Sequence, residues 1–446
     1  MANQLSNKMP GGIPYIIGNE IAERFSFYGM KAILTVFMTE HLLGSDGLLD
    51  PMDSNDSQFW YHIFTSSVYF FPLFGAVFSD IFWGKYRTII VLSIVYCLGH
   101  IALSLDETRL GLSLGLTLIA IGSGGIKPCV SAHVGDQFTQ SNSHLIGKVF
   151  AFFYFAINFG SFFSTIMTPW ILKEYGSHWA FGIPGALMIL ATIIFWIGRK
   201  DYRSVPAAGM QFLNDLISPK MLKVIGKLLL LNLFMSFFWS LYDQGGSSWI
   251  NQAKSDLVIK QIEFLGWSVT VLPSQVGAIN PILVMLLIPV FTWGIYPLVG
   301  KVVKVTPMRK IGTGFFITAG AFLLVTWMQM QLDHGVSISI GWQLLAYFII
   351  TIAEVMVYQT ALELSYTQAP NSMKSFIMAI LMLGISFGNA ITAAVNAFIR
   401  NDDGSTILEG SDYFLFFFVM MFGMSVLFIF YAMRYKEQVF IQGEDA

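Results

Sequence analysis

The sequence predicts an all-α membrane protein with twelve transmembrane helices in two six-helix bundles. Of its 446 residues, 55% are hydrophobic and only 12% are charged, whereas an ordinary soluble domain has roughly 25% charged residues. Apolar stretches long enough to cross a bilayer recur from end to end. They are continuous runs rich in Phe, Leu and Ile rather than short alternating segments, so helices are favoured over a β-barrel.

The spans can be placed from the apolar runs and the polar segments that separate them. Their bounds lie near residues 13–43, 56–82, 86–105, 111–134, 145–171, 179–198, 221–252, 278–303, 310–331, 341–367, 373–400 and 411–434. Several exceed the roughly 20 residues that a crossing needs, which permits tilt or extension beyond the bilayer.

The distribution of Lys and Arg predicts that both termini are cytoplasmic. With the N-terminus inside, seventeen of the 25 Lys and Arg residues fall on the cytoplasmic side, five outside and three within spans. Cytoplasmic loops of membrane proteins carry such an excess. One span more or fewer would reverse the side of every later loop, so the bias also supports the number of spans.

The longest loop between spans, at 199–220, separates two sets of six. We therefore expect an N-terminal bundle at 1–198, a cytoplasmic linker or surface helix at 199–220 and a C-terminal bundle at 221–446. Two six-helix halves around a midplane site allow a central cavity to face each side of the membrane in turn.

Other features of the sequence exclude several classes of protein. The first residues, MANQLSNKMPGGIP, contain no apolar core followed by a small-residue cleavage site, so the first span is expected to direct insertion. Cys97 and Cys129 both fall in apolar segments, which argues against a disulfide framework. No metal-ligand spacing and no nucleophile–base pair is apparent, so we expect neither a metal site nor an enzyme.

The stretch GNEIAERFSFYGMKA, residues 18–32, places four ionisable side chains within the first span. On a helix, Glu20, Arg24, Phe27 and Lys31 form one stripe, with Glu23 at its edge. A charge at the centre of an isolated span costs about 2.5–3.5 kcal/mol. The stripe should therefore face a polar cavity or charged partners. The alternative is an internal ion-pair cluster that only locks helices together.

Later spans supply further charges near their middles: Lys127, Asp243 and Glu354. A cavity lined by Arg24 and Lys127 on one side and Glu354 on another would hold a zwitterion lengthwise. The cations would meet its carboxylate and the anion its ammonium group. Glu20 and Glu23 are suited to exchange a proton, because burial and nearby cations affect a carboxylate in opposite directions.

Six motifs, in order along nearly the whole chain, point to one family. The first is EIAERFSFYG (20–29), which resembles the signature E-x-x-E-R-F-x-Y-Y-G. The second is GAVFSDIFWGKYRTI (75–89), which resembles a second signature with Ser79 in place of Ala. The third is FFYFAINFGSFF (152–163), which resembles F-Y-x-x-I-N-x-G-S. In the second half, FWSLYDQGGSSW, INPILVMLLIPVF and LELSYTQAPNSMKS match as well. Together they resemble the proton-dependent oligopeptide transporter (POT) family of the major facilitator superfamily, which implies the major facilitator fold.

The resemblance implies a role for each matching residue. For proton coupling it implies Glu20, Glu23, Arg24, Lys127 and His62. For peptide binding it implies Arg24, Tyr28, Tyr69, Lys127, Tyr154, Asn158, Trp239, Asn280 and Glu354, with Glu354 at the peptide amino group. It also implies that Lys31 and Asp243 pair to close an outer gate. It implies no cofactor, with protons as the coupling ion.

This sequence departs from the family pattern in the proposed pocket. Phe27 replaces the first Tyr of the usual pair and removes a hydroxyl, and Leu381 replaces a common Trp, which would widen or reshape the side-chain pocket. Lys31 replaces an Arg and loses the bidentate geometry of a guanidinium toward Asp243.

We therefore expect a proton-coupled symporter that imports di- and tripeptides by alternating access. It should be a monomeric, multi-pass protein of the cell membrane (inner or plasma) whose partners are peptides, protons and lipid, and not nucleic acid. Two alternatives remain: the same fold carrying nitrate or another small anion, and a sensor that binds peptide without moving it.

Overall fold

Helices form at each of the twelve predicted spans. The structure is a computed structural model that describes residues 9–139, 141–142, 145–203, 205–207, 209–264, 267–367, 374–401 and 405–435. Within this part of the chain, eleven helical segments are long and apolar enough to cross a membrane, and they correspond to the second through twelfth predicted spans. The first span is the helix Ile13–Val36, which is long enough but carries the four charges.

The chain divides into two units, Met1–Pro51 with Ser67–Met221, and Met52–Ser66 with Leu222–Ala446. The helix α2 (Ser54–Phe78) therefore contributes its first residues to the second unit and the rest to the first. The division into a bundle at 1–198, a linker at 199–220 and a bundle at 221–446 stays a prediction. The termini at 1–8 and 436–446 lie outside the described residues, and their cytoplasmic location also stays a prediction.

The first unit consists mainly of long, uninterrupted helices, together with one short helix. They are α1 (Ile13–Val36), α2 (Ser54–Phe78, shared), α3 (Lys85–Leu105), α4 (Arg109–Asp136), α5 (Ile146–Tyr175), α6 (Ser177–Ile197) and the short α7 (Met210–Leu216). The helix α7 lies within the predicted linker, where a surface helix was one of the two expectations. π-helical turns extend α1 and α2, at Phe37–His41 and Ser79–Trp83.

The helices of the second unit are more often interrupted. They are α8 (Pro219–Tyr242), α9 (Ser248–Lys254), α10 (Ile279–Pro289), α11 (Tyr296–Val299), α12 (Pro307–Asp333), α13 (Gly341–Glu354), α14 (Thr360–Thr367), α15 (Lys374–Phe398) and α16 (Ser411–Arg434). A π-helical turn, Val355–Gln359, joins α13 to α14 directly after Glu354. Such turns occur often at functional sites, because they re-aim the neighbouring side chains.

Four short strands depart from the all-α prediction. The strand β2 (Gln261–Phe264) pairs antiparallel with β3 (Trp267–Thr270), and β1 (Val258–Ile259) pairs parallel with β4 (Ile338–Ser339). Strands of two to four residues give too short an alternating pattern to be recognised beside the long apolar runs.

Glycines of α4 allow its backbone to approach two neighbouring helices closely. A Cβ added at Gly124 would lie 2.5 Å from the carbonyl oxygen of Val68 in α2, and one added at Gly122 would lie 2.7 Å from that of Leu92 in α3. Side chains would hold the helices further apart, so these glycines set the position of the segment that carries Lys127.

We predict that Gly124→Ala destabilises the protein by about 1–3 kcal/mol, because the added methyl group would overlap backbone atoms that cannot move aside. The measurement is the apparent Tm of the purified protein in detergent. Gly135→Ala is the matched control on the same helix, since a Cβ there meets nothing within 4 Å. An equal Tm for the two variants would contradict the close-approach role of Gly124.

Candidate functional site

Three of the four charged residues of α1, namely Glu20, Glu23 and Arg24, form a buried ionic group. Arg24 Nε lies 2.6 Å from Glu20 Oε1 and 3.3 Å from Glu23 Oε2. The side chains of Glu20 and Glu23 are only 2% and 3% exposed, and that of Arg24 is 12% exposed. The spacing of four residues between Glu20 and Arg24 stacks the pair on one face of the helix, as the sequence predicts.

Lys127 of α4 joins this group. Its Nζ donates a hydrogen bond to Ser123 Oγ at 2.9 Å and lies 3.9 Å from Glu23 Oε1. Ser123 Oγ in turn donates to Glu23 Oε1 at 3.4 Å. Ser123 therefore bridges the lysine to the carboxylate. We call Glu20, Glu23, Arg24 and Lys127 the ion cluster; the sequence predicts its charged members but misses Ser123, one helical turn before Lys127.

Aromatic rings cover the lysine. Lys127 Nζ lies 3.9 Å from the ring centroid of Phe27 and 5.9 Å from that of Tyr69. A cation over an aromatic face is stabilised by the ring quadrupole, most strongly where water is excluded. Phe27 is fully buried. Phe27 thus does more than omit a hydroxyl from the pocket, because its ring face supports the buried ammonium group.

Helix α5 supplies two further predicted residues of the first unit, Tyr154 and Asn158. Asn158 is 7% exposed, and its Nδ2 donates to the backbone oxygen of Tyr154 at 2.9 Å. A Cβ added at Gly160 would lie 2.8 Å from the carbonyl oxygen of Ile21 and 3.0 Å from Arg24 Cβ. Gly160, which sequence reasoning missed, therefore seats α5 directly against the turn of α1 that holds Arg24. The ring of Tyr28 packs edge-on against that of Phe27.

Glu354 in the second unit is held by neutral groups. Its Oε2 accepts a hydrogen bond from Asn280 Nδ2 at 2.7 Å, and the same nitrogen lies 3.0 Å from Thr351 Oγ1. The hydroxyl of Tyr242 is a further hydrogen-bond partner of Glu354. The structure thus brings together the predicted pair Asn280 and Glu354, and it adds Thr351 and Tyr242, which sequence reasoning missed.

Trp239 lies one helical turn before Tyr242 among aromatic rings. Its ring makes edge-on contacts with Tyr242 at 5.1 Å and Tyr358 at 5.3 Å between centroids. The residue is 5% exposed, and its Nε1 has no hydrogen-bond partner among the described residues. A buried N–H donor is thus available beside the neighbours of Glu354.

His62 lies at the centre of a polar network in the second unit. Asn389 Nδ2 donates to Asp243 Oδ2 at 2.7 Å and to the carbonyl oxygen of Ile385 at 3.0 Å, so Asn389 Oδ1 remains as an acceptor. His62 Nδ1 lies 2.7 Å from this oxygen, and Nε2 lies 2.8 Å from Ser247 Oγ. The Nδ1 atom must therefore carry a hydrogen. Neutral His62 then accepts at Nε2 from Ser247, whereas the doubly protonated ring donates to it.

The remaining predicted residues have separate positions. Asp243 is 7% exposed and bound by Asn389, and Lys31 lies on α1 two turns after Arg24. The gate formed by Lys31 and Asp243 stays a prediction. Leu381 is buried in α15. Among the described residues, no group of three His, Cys, Asp or Glu side chains is placed to hold a metal ion.

Comparison with known proteins identifies similar sequences. The family model PTR2, described as the POT family, matches residues 86–218 and 217–409. Solute carrier family 15 member 2 of Danio rerio is 37% identical over 370 residues, which are 72% of this chain and 50% of that protein. Peptide transporter 3 of Caenorhabditis elegans is 34% identical over 375 residues, or 73% and 51%. The chain thus spans about half the length of these curated relatives.

Solved structures match over almost the whole chain. A crystal structure described as an auto-inhibited POT family peptide transporter is 33% identical, with a TM-score of 0.85 over 98% of this chain and 99% of that one. The POT family transporter PepTSo is 34% identical, with a TM-score of 0.84 over 96% and 98%. These similarities confirm the predicted fold class.

The His62 network predicts the hydrogen position on the neutral ring. Neutral His62 should be the Nδ1–H tautomer, because Asn389 offers it only an acceptor. Nitrogen-15 solid-state NMR of histidine-labelled protein measures this, with His62→Gln assigning the signal. Asn389→Leu removes this acceptor and should allow the Nε2–H tautomer as well. Ser248→Ala should leave the tautomer unchanged, because the Ser248 hydroxyl donates to Gln244 and not to His62. An Nε2–H tautomer in the native protein would contradict the network.

Proposed function

The chain belongs to the POT family of membrane transporters, and from this membership we propose that it is a proton-coupled symporter that imports di- and tripeptides by alternating access. It is a multi-pass membrane protein with the major facilitator fold. The single observation that carries the proposal is the buried ion cluster, in which two carboxylates meet two cations.

The carboxylate end of the peptide would be bound by the cations of the cluster. Among the described residues, the guanidinium of Arg24 donates from Nε to Glu20, so its terminal nitrogens are available for a planar, bidentate contact with a carboxylate. Lys127 would add a point charge beside it. Tyr28, Tyr69, Tyr154 and Asn158 are the proposed neighbours of the peptide on this side.

The amino end of the peptide would be bound by Glu354. The donors around Glu354, from Asn280 and Tyr242, are neutral, so no cation among them competes with an ammonium group for the carboxylate. Trp239 would complete this end of the pocket with its available N–H group. A peptide would thus be selected by the charges at its two ends, and its side chains would be tolerated.

Proton coupling would follow from the charge of the cluster. With all four groups ionised, Glu20, Glu23, Arg24 and Lys127 carry no net charge. An incoming carboxylate would make the buried group negative, and one proton on Glu20 or Glu23 would restore neutrality. Since unpaired charge is costly away from water, peptide and proton would bind together and leave together.

His62 is proposed as a second place where protonation matters. A proton added to Nε2 would require the hydroxyl of Ser247 to turn from donor to acceptor, which alters the contacts of α9 with α2. Asp243 belongs to the same network through Asn389 and would also pair with Lys31 at the outer gate. Protonation of His62 would thereby influence the gate residue Asp243.

The energy available is sufficient for accumulation. Inward proton movement releases about 2.3 kcal/mol per charge for each 100 mV of membrane potential. This free energy supports roughly fiftyfold accumulation of a neutral zwitterion with one proton at that potential alone.

The proposal predicts that purified protein in liposomes accumulates labelled dialanine when an inward proton gradient is imposed. Glu354→Gln should weaken uptake by about tenfold or more, because a charge-assisted contact with the ammonium group is lost. Glu363→Gln is the matched control, since Glu363 is an exposed carboxylate of the same span. Absence of gradient-driven accumulation in the native protein would overturn the coupling.

The same experiment separates the alternatives. A carrier of nitrate or another small anion would not need Glu354, so anion uptake would survive Glu354→Gln. A sensor would bind dialanine but show no counterflow exchange of labelled for unlabelled peptide across the liposome membrane.

A further inference from the structure

A polar cleft of about 430 Å³ lies at the end of the second unit that is predicted to face outward. It is bordered by the start of α2, the helix α9, the end of α12, segment 406–410 and the start of α16. This volume is within the range of small-molecule sites, which is about 300–1,000 Å³. We call it the Asn251 cleft. It shares no residue with the ion cluster or with Glu354 and Asn280.

Two adjacent amide side chains in the cleft retain unused hydrogen-bonding atoms. Both Nδ2 and Oδ1 of Asn251 are buried and have no hydrogen-bond partner among the described residues, and the same is true of Gln252 Oε1. Gln252 is 5% exposed. Buried polar atoms are almost always paired in native proteins. On the wall of a cleft, these atoms are available to a ligand with complementary groups.

The orientation of Gln252 is fixed by its neighbours. Its Nε2 donates to the carbonyl oxygen of Val325 at 3.2 Å and to Gln329 Oε1 at 3.0 Å. Gln329 Nε2 donates in turn to Asp333 Oδ1 at 2.9 Å. Both hydrogens of the Gln252 amide are thus used, so its oxygen is the free atom. The cleft offers two acceptors, Asn251 Oδ1 and Gln252 Oε1, and one donor group, Asn251 Nδ2.

The charge of the cleft selects a cation. Among the described residues that line it, Asp53 and Glu409 are charged and neither Lys nor Arg occurs. Asp53 is bound by Arg400, which lies outside the lining and also pairs with Asp56, so one guanidinium serves two carboxylates. Glu409 is exposed and belongs to none of the ion pairs found in the described part of the chain. A carboxylate ligand would be repelled here.

We infer that the Asn251 cleft is a second binding site, which takes a primary ammonium group joined to an amide, the chemistry of a peptide amino terminus. The ammonium group would contact Glu409 and Gln252 Oε1. The free donor and acceptor of Asn251 would pair with the C=O and N–H of the adjoining peptide unit. Among the described residues of the lining, no three metal-binding side chains come together, and the amide groups of Asn251 match a peptide unit, so we choose an organic cation.

The test uses glycylglycinamide, which has the ammonium group and amides but no carboxylate for Arg24 and Lys127. Its binding to the full chain in nanodiscs is measured by calorimetry. Asn251→Leu should weaken binding about tenfold, the loss expected for the paired amide contacts. Glu409→Gln, which alters only an exposed side chain, should weaken it several-fold, whereas the exposed control Glu263→Gln on β2 should not. N-acetylation of the probe should weaken binding to the native protein.

The outcomes separate this site from the proposed transport site. If Glu354→Gln leaves probe binding intact while Asn251→Leu and Glu409→Gln reduce it, the cleft is an independent site, whether or not the native protein accumulates dialanine. If the native protein, Asn251→Leu and Glu409→Gln bind the probe equally well, the inference is overturned and the cleft holds only water. Equal binding of the acetylated probe would overturn the choice of a cation.

Discussion

The constraint on which the first unit depends is that no charge of the ion cluster can be left uncompensated away from water. Arg24 contacts both Glu20 and Glu23, and Lys127 reaches Glu23 through Ser123. Removing one member of a buried ionic group generally costs about 3–5 kcal/mol. The close backbone contacts of α4 with α2 and α3, and of α5 with α1, are made at glycines and serve this constraint because they fix the helices that carry or border the charges.

The two units compensate their buried charges in different ways. In the first, carboxylates are balanced by cations, so the charge of any added anion must be offset by an added proton. In the second, Glu354 is held by the neutral amide of Asn280 and the hydroxyl of Tyr242. No cation among these donors competes with an ammonium group for the carboxylate. This asymmetry fits a zwitterionic substrate, with the proton exchanged at its carboxylate end.

Sequence reasoning predicted the twelve spans and the charged residues of both units, because charges within apolar runs are conspicuous on energetic grounds. It missed the neutral residues that position them. Ser123, Thr351 and Asn389 look like ordinary polar residues of a span, and only their hydrogen bonds reveal a role. From the sequence, Phe27 signifies only the loss of a tyrosine hydroxyl. Its contact with Lys127 joins α1 to α4, and such a contact cannot be derived from helical periodicity alone. The short strands were too brief to give a pattern.

The most direct test of the account is the number of protons exchanged when a peptide binds. Purified protein in weak buffer is mixed with dialanine, and the change in pH and the Kd are measured across a range of pH. The account predicts net proton uptake on binding and tighter binding at lower pH, with both effects reduced by Glu23→Gln. Binding that takes up no protons and does not depend on pH would contradict it.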